Sequence, residues 1–167
     1  MDEVLALVRE VMLARNVGMT LVAANAPRHG RLFCVSAESG APVTRVSLDP
    51  QMVETLAASR TGMTIFRFEE QRHSFLTPLH ADGSKFFWVW PVCVGDRLAA
   101  ILSVGYTEPP QAAEQIARCG TECAQRLAAS LASSARAEQL YRQAHFDPLT
   151  QLPNRLLFRD RLAQELT

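Results

Sequence analysis

The chain has 167 residues, 48% of them apolar, which is enough for one ordinary domain with a real core and a helical appendage. Lysine and arginine number 17, as do aspartate and glutamate, and this balance argues against a basic nucleic-acid surface and against a polybasic membrane patch. No apolar run approaches the ~20 residues that span a bilayer, and the acidic start at Asp2 and Glu3 is unlike a secretory signal. We therefore expect a cytoplasmic segment without nucleic-acid or membrane contacts. A longer parent protein could still be membrane-anchored.

The first third of the chain predicts one helix followed by strands. Apolar residues recur at helical spacing over residues 3–15, which indicates an amphipathic helix. Two β-rich runs follow at 19–26 and 31–36, and the turn-forming residues 27–30 between them predict a hairpin with a longer loop. Residues 38–42 predict a turn.

A third strand over residues 43–48 leads into a helix with a clear start. Asp49 is a good N-cap residue, and Pro50 suits the first helical position because its missing N–H has no partner there in any case. Gly62 is expected to end the helix.

The strongest β pattern lies in the second half of the chain. Residues 63–68 suit a short strand, whereas 69–84 are polar and turn-rich and receive no assignment. Residues 85–94 and 97–106 are two long apolar runs joined by a glycine–aspartate turn. Both faces of these runs carry large residues, so they are predicted to be central strands that are covered on both sides.

The last element is a long helix. Residues 111–146 contain no proline and are rich in alanine, and the helix would be about 50 Å long at 1.5 Å per residue. Pro148 then ends it. The whole order predicts an α+β fold, with a central antiparallel sheet, helices on one face and a long C-terminal helix.

The cysteines predict neither disulfides nor a metal site. They form no Cys-x-x-Cys pair, and the four histidines do not complete zinc spacing. We therefore expect reduced core residues, and the sequence requires no cofactor. The cysteines are Cys34, Cys93, Cys119 and Cys123.

The segment after the long helix resembles the opening of GGDEF domains, the catalytic domains of diguanylate cyclases. That opening motif reads Asp-x-Leu-Thr-Gly-Leu-x-Asn-Arg, and six of its seven fixed positions match here. The seventh departs, because Gln151 stands where the family has a glycine that allows positive φ. The matching residues are Asp147, Leu149, Thr150, Leu152, Asn154 and Arg155.

This resemblance implies a reinforced turn in which Asp147 pairs with Arg155 and Thr150 contacts turn amides. It also implies that the catalytic Gly-Gly-(Asp/Glu)-Glu-Phe string lies further downstream, and no such string occurs here. We therefore expect a fragment that is not itself an enzyme. Its parent would be a diguanylate cyclase, which makes cyclic di-GMP from GTP, or a cyclase–phosphodiesterase hybrid with a further EAL domain.

The preceding part of the chain resembles GAF domains. The closing hairpin carries the proline strand, the glycine turn and the "small–Ile–Leu–x–Val–Gly" strand that are typical of that family, at residues 90–105. PAS domains occupy the same place before GGDEF domains and are the alternative. The resemblance implies a sensory domain at 1–110, a closing and signalling helix at 111–146, and the start of a GGDEF domain at 147–167.

GAF domains bind small ligands between the sheet and a loop layer, and that layer would be residues 66–84 here. The ligand itself is unknown. The same residues have plainer explanations, since the tryptophans suit a core and the charged residues suit a solvated surface. The candidate pocket residues are Phe66, Arg67, Arg72, His73, Trp88, Trp90 and Cys93.

The expected mechanism depends on a homodimer, because a diguanylate cyclase joins two GTP molecules held by two facing protomers. The long helix would pair with its twin, with the N-terminal helix in the same bundle, and a change of register would reorient the outputs. Alternatives are a PAS-like sensor or a ligand-free dimerisation spacer in a GGDEF–EAL hybrid. Small residues such as Ala124, Ala128, Ala132 and Ala135 would permit the close approach of the helices.

Overall fold

The computed structural model describes residues 2–36, 40–60 and 62–165, with only the backbone described for residues 40–42, 160, 161, 163 and 165. The chain forms two compact units, Met1–Ala129 and Ser130–Thr167. The elements in chain order are α1 (Asp2–Val11), β1 (Asn16–Ala23), β2 (Ala26–Ser36), β3 (Gly40–Ser47), α2 (Pro50–Ser59), β4 (Thr64–Arg67), α3 (Thr77–Ala81), β5 (Phe86–Val94), β6 (Arg97–Tyr106), α4 (Ala113–His145) and α5 (Arg155–Glu165).

The first unit is built on a six-stranded antiparallel sheet with the strand order β3-β2-β1-β6-β5-β4. Strands β5 and β6 lie inside the sheet, and most of their residues are buried. The hairpin between them turns at Gly95, whose φ of 62° favours glycine. The prediction of two central strands joined by this turn is therefore confirmed.

The two faces of the sheet are covered by different helices. On the face that we call the α2–α3 face, Phe87, Val89 and Ile101 pack in one apolar cluster with α2 and α3. The opposite face, called the α1–α4 face, carries Trp88 and Trp90, because successive residues of a strand point to opposite sides. Helices thus lie on both faces, whereas the sequence analysis placed them on one.

Contacts with the sheet identify α1 and α4 as the cover of the second face. The Tyr106 hydroxyl donates a hydrogen bond to the Met12 carbonyl just after α1 (3.0 Å), and the Tyr106 ring lies 6.0 Å from that of Trp88. In α4, the buried residues are Ile116, Gly120 and Ala124. The first part of α4 is therefore a layer of the sheet unit.

Helix α2 begins as the sequence predicted. The Asp49 carboxylate accepts a hydrogen bond from the Gln51 amide (3.1 Å), and Pro50 occupies the first turn. Such a cap is worth about 1 kcal/mol. The helix ends earlier than predicted, because Arg60 rather than Gly62 adopts a positive φ (49°) at its C-terminus.

The first hairpin departs from the prediction. Its strands pair up to Ala23 and Ala26, so the connection is only two residues long and the predicted loop, 27–30, lies inside β2. Strand β3 begins at Gly40, within the turn predicted for 38–42, and residues 38 and 39 lie outside the described part of the chain. Helix α1 ends at Val11, four residues before the predicted end at 15, and Leu13 takes a positive φ (50°).

The later elements of the chain lie close to their predicted positions. β4 matches the strand predicted at 63–68, and the unassigned stretch 69–84 contains the short helix α3. Helix α4 matches the long helix predicted at 111–146. In the second unit α5 follows a turn after the end of α4. Among the described residues, no helix combines the length and apolarity needed to cross a membrane.

Candidate functional site

The seven residues predicted to line one ligand pocket are divided between the two faces of the sheet. Trp88 and Trp90 lie on the α1–α4 face, with ring centroids 6.3 Å apart. Phe66 and Cys93 pack against the cluster on the α2–α3 face instead. The seven residues are not all brought together, because the alternation of side chains along β5 separates its even and odd positions.

Arg67 lies at the surface of the edge strand β4. Its guanidinium is 3.4 Å from the Glu70 carboxylate and 5.7 Å from the centroid of the Phe86 ring. Exposed pairs of this kind contribute at most about 1 kcal/mol. Arg67 therefore has partners on its own surface and does not reach the α2–α3 layer.

Phe66 and His73 are the predicted residues that the fold brings into contact. Their rings meet edge to face with centroids 4.9 Å apart, and the His73 ring also stacks on Phe75 at 5.7 Å. Burial lowers the pKa of His73, and the nearby Asp49 carboxylate partly offsets this effect. A neutral imidazole held between two aromatic rings offers one donor and one acceptor nitrogen.

The thiols on this side of the sheet are not activated nucleophiles. Burial raises the pKa of Cys34 to about 11, and burial also raises the pKa of Cys93, with Arg60 acting weakly in the other direction. Both side chains are therefore protonated at neutral pH. Since the thiolate is the reactive form, neither is a good nucleophile. All four cysteines are free thiols.

A buried polar network holds α3 directly on the sheet. The Asn16 side-chain amide donates to the Leu79 carbonyl (2.8 Å), and the Ser84 hydroxyl donates to the Asn16 side-chain oxygen (2.9 Å). A side chain at Gly105 would overlap Asn16 and Ser84, so only glycine fits under the network. Leu79 in turn fills the space over Gly18.

The layer between the sheet and α2–α3 is thereby occupied by the chain's own side chains. Phe75, Leu76, Leu79 and Phe87 are fully buried there. The region expected to hold a ligand is thus largely a packed core, which corrects the predicted placement of the pocket.

An open groove lies beside this core, and we call it the basic groove. It has a volume of about 720 Å³. Arg28, His29, Arg72 and His73 line its rim. The buried floor consists of Leu48, Met52 and Phe75, and the remaining wall residues are Ser47, Asp49, Pro50 and Ser74.

Sequence reasoning identified only Arg72 and His73 of this rim. Arg28 and His29 were assigned to a hairpin loop, and the pairing of β2 with β3 brings them beside the start of α2. The available signal was the Arg-His pair that occurs twice, at 28–29 and 72–73.

The opening-motif residues of the second unit form a closely bonded turn. The Asp147 carboxylate accepts hydrogen bonds from the Leu149 amide (3.0 Å), the Thr150 amide (2.9 Å) and the Thr150 hydroxyl (3.1 Å). These donors lower the pKa of Asp147. The expected role of Thr150 at the turn amides is also seen, since its hydroxyl accepts from the Leu152 amide at 3.4 Å.

The predicted ion pair between Asp147 and Arg155 is not present. The carboxylate is satisfied by donors of its own turn, and these lie much nearer in sequence than Arg155. Gln151, at the glycine position of the motif, adopts a φ of 57°, so the turn has the left-handed geometry that glycine favours. The leucines at 149 and 152 are 92% and 63% exposed.

Asn154 connects the two helices of the second unit. Its side-chain amide donates to the Ala144 carbonyl near the end of α4 (2.7 Å). Its side-chain oxygen accepts from the Leu156 and Leu157 amides (both 3.0 Å) and so caps the start of α5. One side chain thus satisfies backbone groups at both helix ends.

No metal centre is formed by the described side chains. Within residues 2–36, 40–60 and 62–165, no group of three or more His, Cys, Asp or Glu residues is placed to hold a metal ion.

Solved structures that share this fold include GAF domains of photoreceptors. The phycocyanobilin-bound GAF domain of a cyanobacterial phytochrome is 18% identical, with a TM-score of 0.64, over 80% of this chain and 82% of that one. The phycoerythrobilin-bound GAF domain of a cyanobacterial phytochrome is 17% identical, with a TM-score of 0.64, over 82% and 86%. The blue-light absorbing form of the Thermosynechococcus elongatus PixJ GAF domain is 17% identical, with a TM-score of 0.54, over 83% and 90%.

No family model and no curated protein sequence matches the chain. At such identities the structural likeness concerns the fold alone, and it decides between the two folds left open by the sequence. The chain has the GAF-domain fold.

Proposed function

We propose that the chain is the cytoplasmic sensory part of a bacterial diguanylate cyclase-type protein, and that it controls cyclic di-GMP output through a dimeric linker helix. The observation that carries this proposal is the turn from Asp147 to Asn154. Each motif residue with a polar side chain before Arg155 has a hydrogen-bonding task there. The chain itself carries out no catalysis; the parent enzyme makes cyclic di-GMP or is a cyclase–phosphodiesterase hybrid.

Exposed apolar residues support a dimer. On α1, Val4, Leu7 and Val11 are 51%, 61% and 60% exposed, and their spacing places them on one stripe of the helix. A contiguous apolar stripe on a helix surface is typical of an interaction site. A second copy of the chain would cover this stripe and join two outputs.

Light scattering after size exclusion tests the dimer. Wild type is expected to be a dimer at tens of micromolar, and Leu7→Glu is expected to be a monomer because a charge replaces the centre of the stripe. Val43→Glu is the matched control, since Val43 is 55% exposed but lies on β3. A monomeric wild type would overturn the dimeric mechanism.

Control of the output is tested with the chain fused to an active diguanylate cyclase domain. Two residues inserted between Ser133 and Ser134 of α4 turn everything beyond them by about 200°, whereas seven turn it by about 700°, close to two full turns. Cyclic di-GMP synthesis is expected to change strongly with two residues and to return with seven. Equal activity of both fusions would contradict control through the linker helix.

A ligand-free spacer is the second candidate function, and the packed layer on the α2–α3 face favours it. With a spacer, cyclic di-GMP synthesis would still depend on the helix phase but would respond to no small molecule. Tight binding of any ligand would stabilise the fold by about 2.7 kcal/mol at 100 times its dissociation constant. A melting-temperature screen therefore separates the two candidates.

Light sensing through a bound bilin is disfavoured for this chain, although bilin-bound GAF domains share its fold. Burial raises the pKa of the Cys34 and Cys93 thiols, which makes both of them poorer nucleophiles for attaching a bilin. The fully buried Phe75, Leu76 and Leu79 occupy the layer beside the sheet.

A further inference from the structure

The basic groove holds cationic side chains that lack acidic partners. Arginine ion pairs are found elsewhere in the chain: Arg60 contacts Asp96, and Arg142 is 3.4 Å from Glu138. Among the described residues, neither Arg28 nor Arg72 forms an ion pair. An unpaired arginine fork is suited to a carboxylate or phosphate, which it can bind with two parallel hydrogen bonds.

One carboxylate faces this positive rim, and it already has a partner. Asp49 lines the groove, but its side chain accepts from the Gln51 amide at 3.1 Å as the cap of α2. The N-terminus of α2 is therefore occupied by the chain's own acid. The attraction for an anion comes from Arg28 and Arg72, which neighbour the half-buried His73.

The walls of the groove are held in place by hydrogen bonds between segments that are distant in sequence. The Leu48 amide donates to the Arg28 carbonyl (2.7 Å), which joins the end of β3 to β2. The Ser74 hydroxyl donates to the Ser47 carbonyl, which joins the loop after β4 to the same place. The backbone that carries the rim is therefore held in place before a ligand binds.

The floor of the groove is apolar. Leu48, Met52 and Phe75 are 2%, 7% and 0% exposed and form part of the core. A volume of about 720 Å³ is within the range of small-molecule sites. The groove therefore combines a cationic rim with an apolar floor.

We infer that the basic groove binds a small organic anion, with a phosphate or carboxylate group on Arg28 and Arg72 and an apolar body against the floor at Met52. The His73 ring, which also lines the groove, supplies a directional hydrogen bond. This inference rests on the proposed sensory function for its biological meaning and names the class of its signal. It shares Arg72 and His73 with the predicted pocket, but it lies beside the core and not between the sheet and residues 66–84.

Binding is tested on the full chain with phenyl phosphate, benzoate, inorganic phosphate and benzyl alcohol, by calorimetry and by NMR of the His73 and Phe75 resonances. At least one of the two aromatic anions is expected to bind at least tenfold more tightly than inorganic phosphate and benzyl alcohol. Only the aromatic anions carry both a charged group for the rim and an apolar ring for the floor. Equal affinity for all four probes, or no shift at millimolar concentration, would overturn the inference.

Matched variants distinguish binding in the groove from a general effect of positive charge on anion binding. Arg28→Gln with Arg72→Gln is expected to weaken binding of the aromatic anion at least tenfold. Arg31→Gln with Arg45→Gln removes the same charge from two exposed residues paired across β2 and β3, and is expected to change Kd less than twofold. All four side chains are exposed, so both double variants fold, and equal weakening by the two pairs would count against a built site.

The outcome is independent of the test of the proposed function. If the anions fail to bind while the cyclase fusion still depends on helix phase, the groove inference is wrong and the proposed function stands. If they bind while the fusion ignores helix phase, the site stands and the proposed function is wrong.

Discussion

Gly120 of α4 lies directly against the indole ring of Trp90, so closely that a methyl group at position 120 would overlap the ring. Trp90 is fully buried. The contact fixes how near the first part of α4 approaches β5. This contact is therefore the point at which α4 is seated on the sheet.

Replacing Gly120 with alanine is expected to destabilise the sheet unit. In a free helix alanine would be favoured over glycine by about 1 kcal/mol. Here the added methyl group must displace a rigid indole ring, and overpacking of this kind costs about 1–3 kcal/mol. We expect a net loss in the free energy of unfolding, measured by urea denaturation with tryptophan fluorescence.

Gly62→Ala is the control, because a methyl group there would make only ordinary contacts with Ser59. The variant Trp90→Phe should reduce the penalty of Gly120→Ala, since the smaller ring leaves room, and so the two changes should not be additive. A higher stability of Gly120→Ala in the wild-type background would contradict the close seating of α4.

The strands and capped helices of this fold could be predicted because their signals are local. The apolar runs of β5 and β6 with the glycine turn, and the Asp49–Pro50 start of α2, specify their structures without help from distant residues. The hairpin of β1 and β2 was placed wrongly, because Pro27 and Gly30 were taken as turn residues. In the structure Pro27 stands near the start of β2, where a missing N–H is tolerated.

The candidate site was harder to predict because it depends on contacts between distant parts of the chain. Trp88 and Trp90 were assigned to the wrong face, since both faces of β5 are apolar and the pattern gives no direction. Arg28 and Arg72 line one groove only because β2 pairs with β3 and Ser74 bonds to Ser47. The Asp147 turn was predicted better, because its partners lie within a few residues of one another.

Asn154 provides the second prediction, because its side chain serves both helices of the second unit. Asn154→Ala removes the cap of α5, worth about 1 kcal/mol, and also the bond to the Ala144 carbonyl, worth about 1 kcal/mol. Asn154→Asp keeps an oxygen for the cap and loses only the donor. Amide hydrogen exchange of Leu156 and Leu157 is expected to accelerate strongly in the first variant and less in the second; equal acceleration would mean that the cap contributes nothing.

The third prediction concerns pH and the Asp147 turn. Hydrogen bonds from Thr150 and Leu149 lower the pKa of Asp147 below its ordinary 3.8. Because the pKa is lower in the folded state, the carboxylate stabilises the turn fully above pH 3.8, and this contribution is lost as the pH falls through the folded pKa. The Thr150 amide resonance should report the transition in an NMR titration.

Thr150→Val supplies the comparison for this titration. The valine keeps the backbone amide and the branched shape but lacks the hydroxyl that donates to Asp147 at 3.1 Å. The pKa of Asp147 is expected to rise towards its ordinary value without reaching it, since both amide donors remain. An unchanged pKa would show that the hydroxyl does not bind the carboxylate in solution.

Gln151 gives the fourth prediction, in which one kind of substitution has opposite effects at two positions. A residue with a Cβ pays about 1–2 kcal/mol in the left-handed region, and Gln151 adopts a φ of 57° there. Gln151→Gly removes this cost and loses only an exposed bond from its side-chain amide to the Pro148 carbonyl (3.1 Å). We expect the stability of the turn to increase by about 0.5–1 kcal/mol, seen as slower exchange of the Asp147 and Asn154 amides.

Gln143→Gly inside α4 should have the reverse effect and destabilise the helix by about 1 kcal/mol, because glycine is a poor helix former. A loss of protection in both variants would mean that the Gln151 side chain, and not the backbone geometry, holds the turn together.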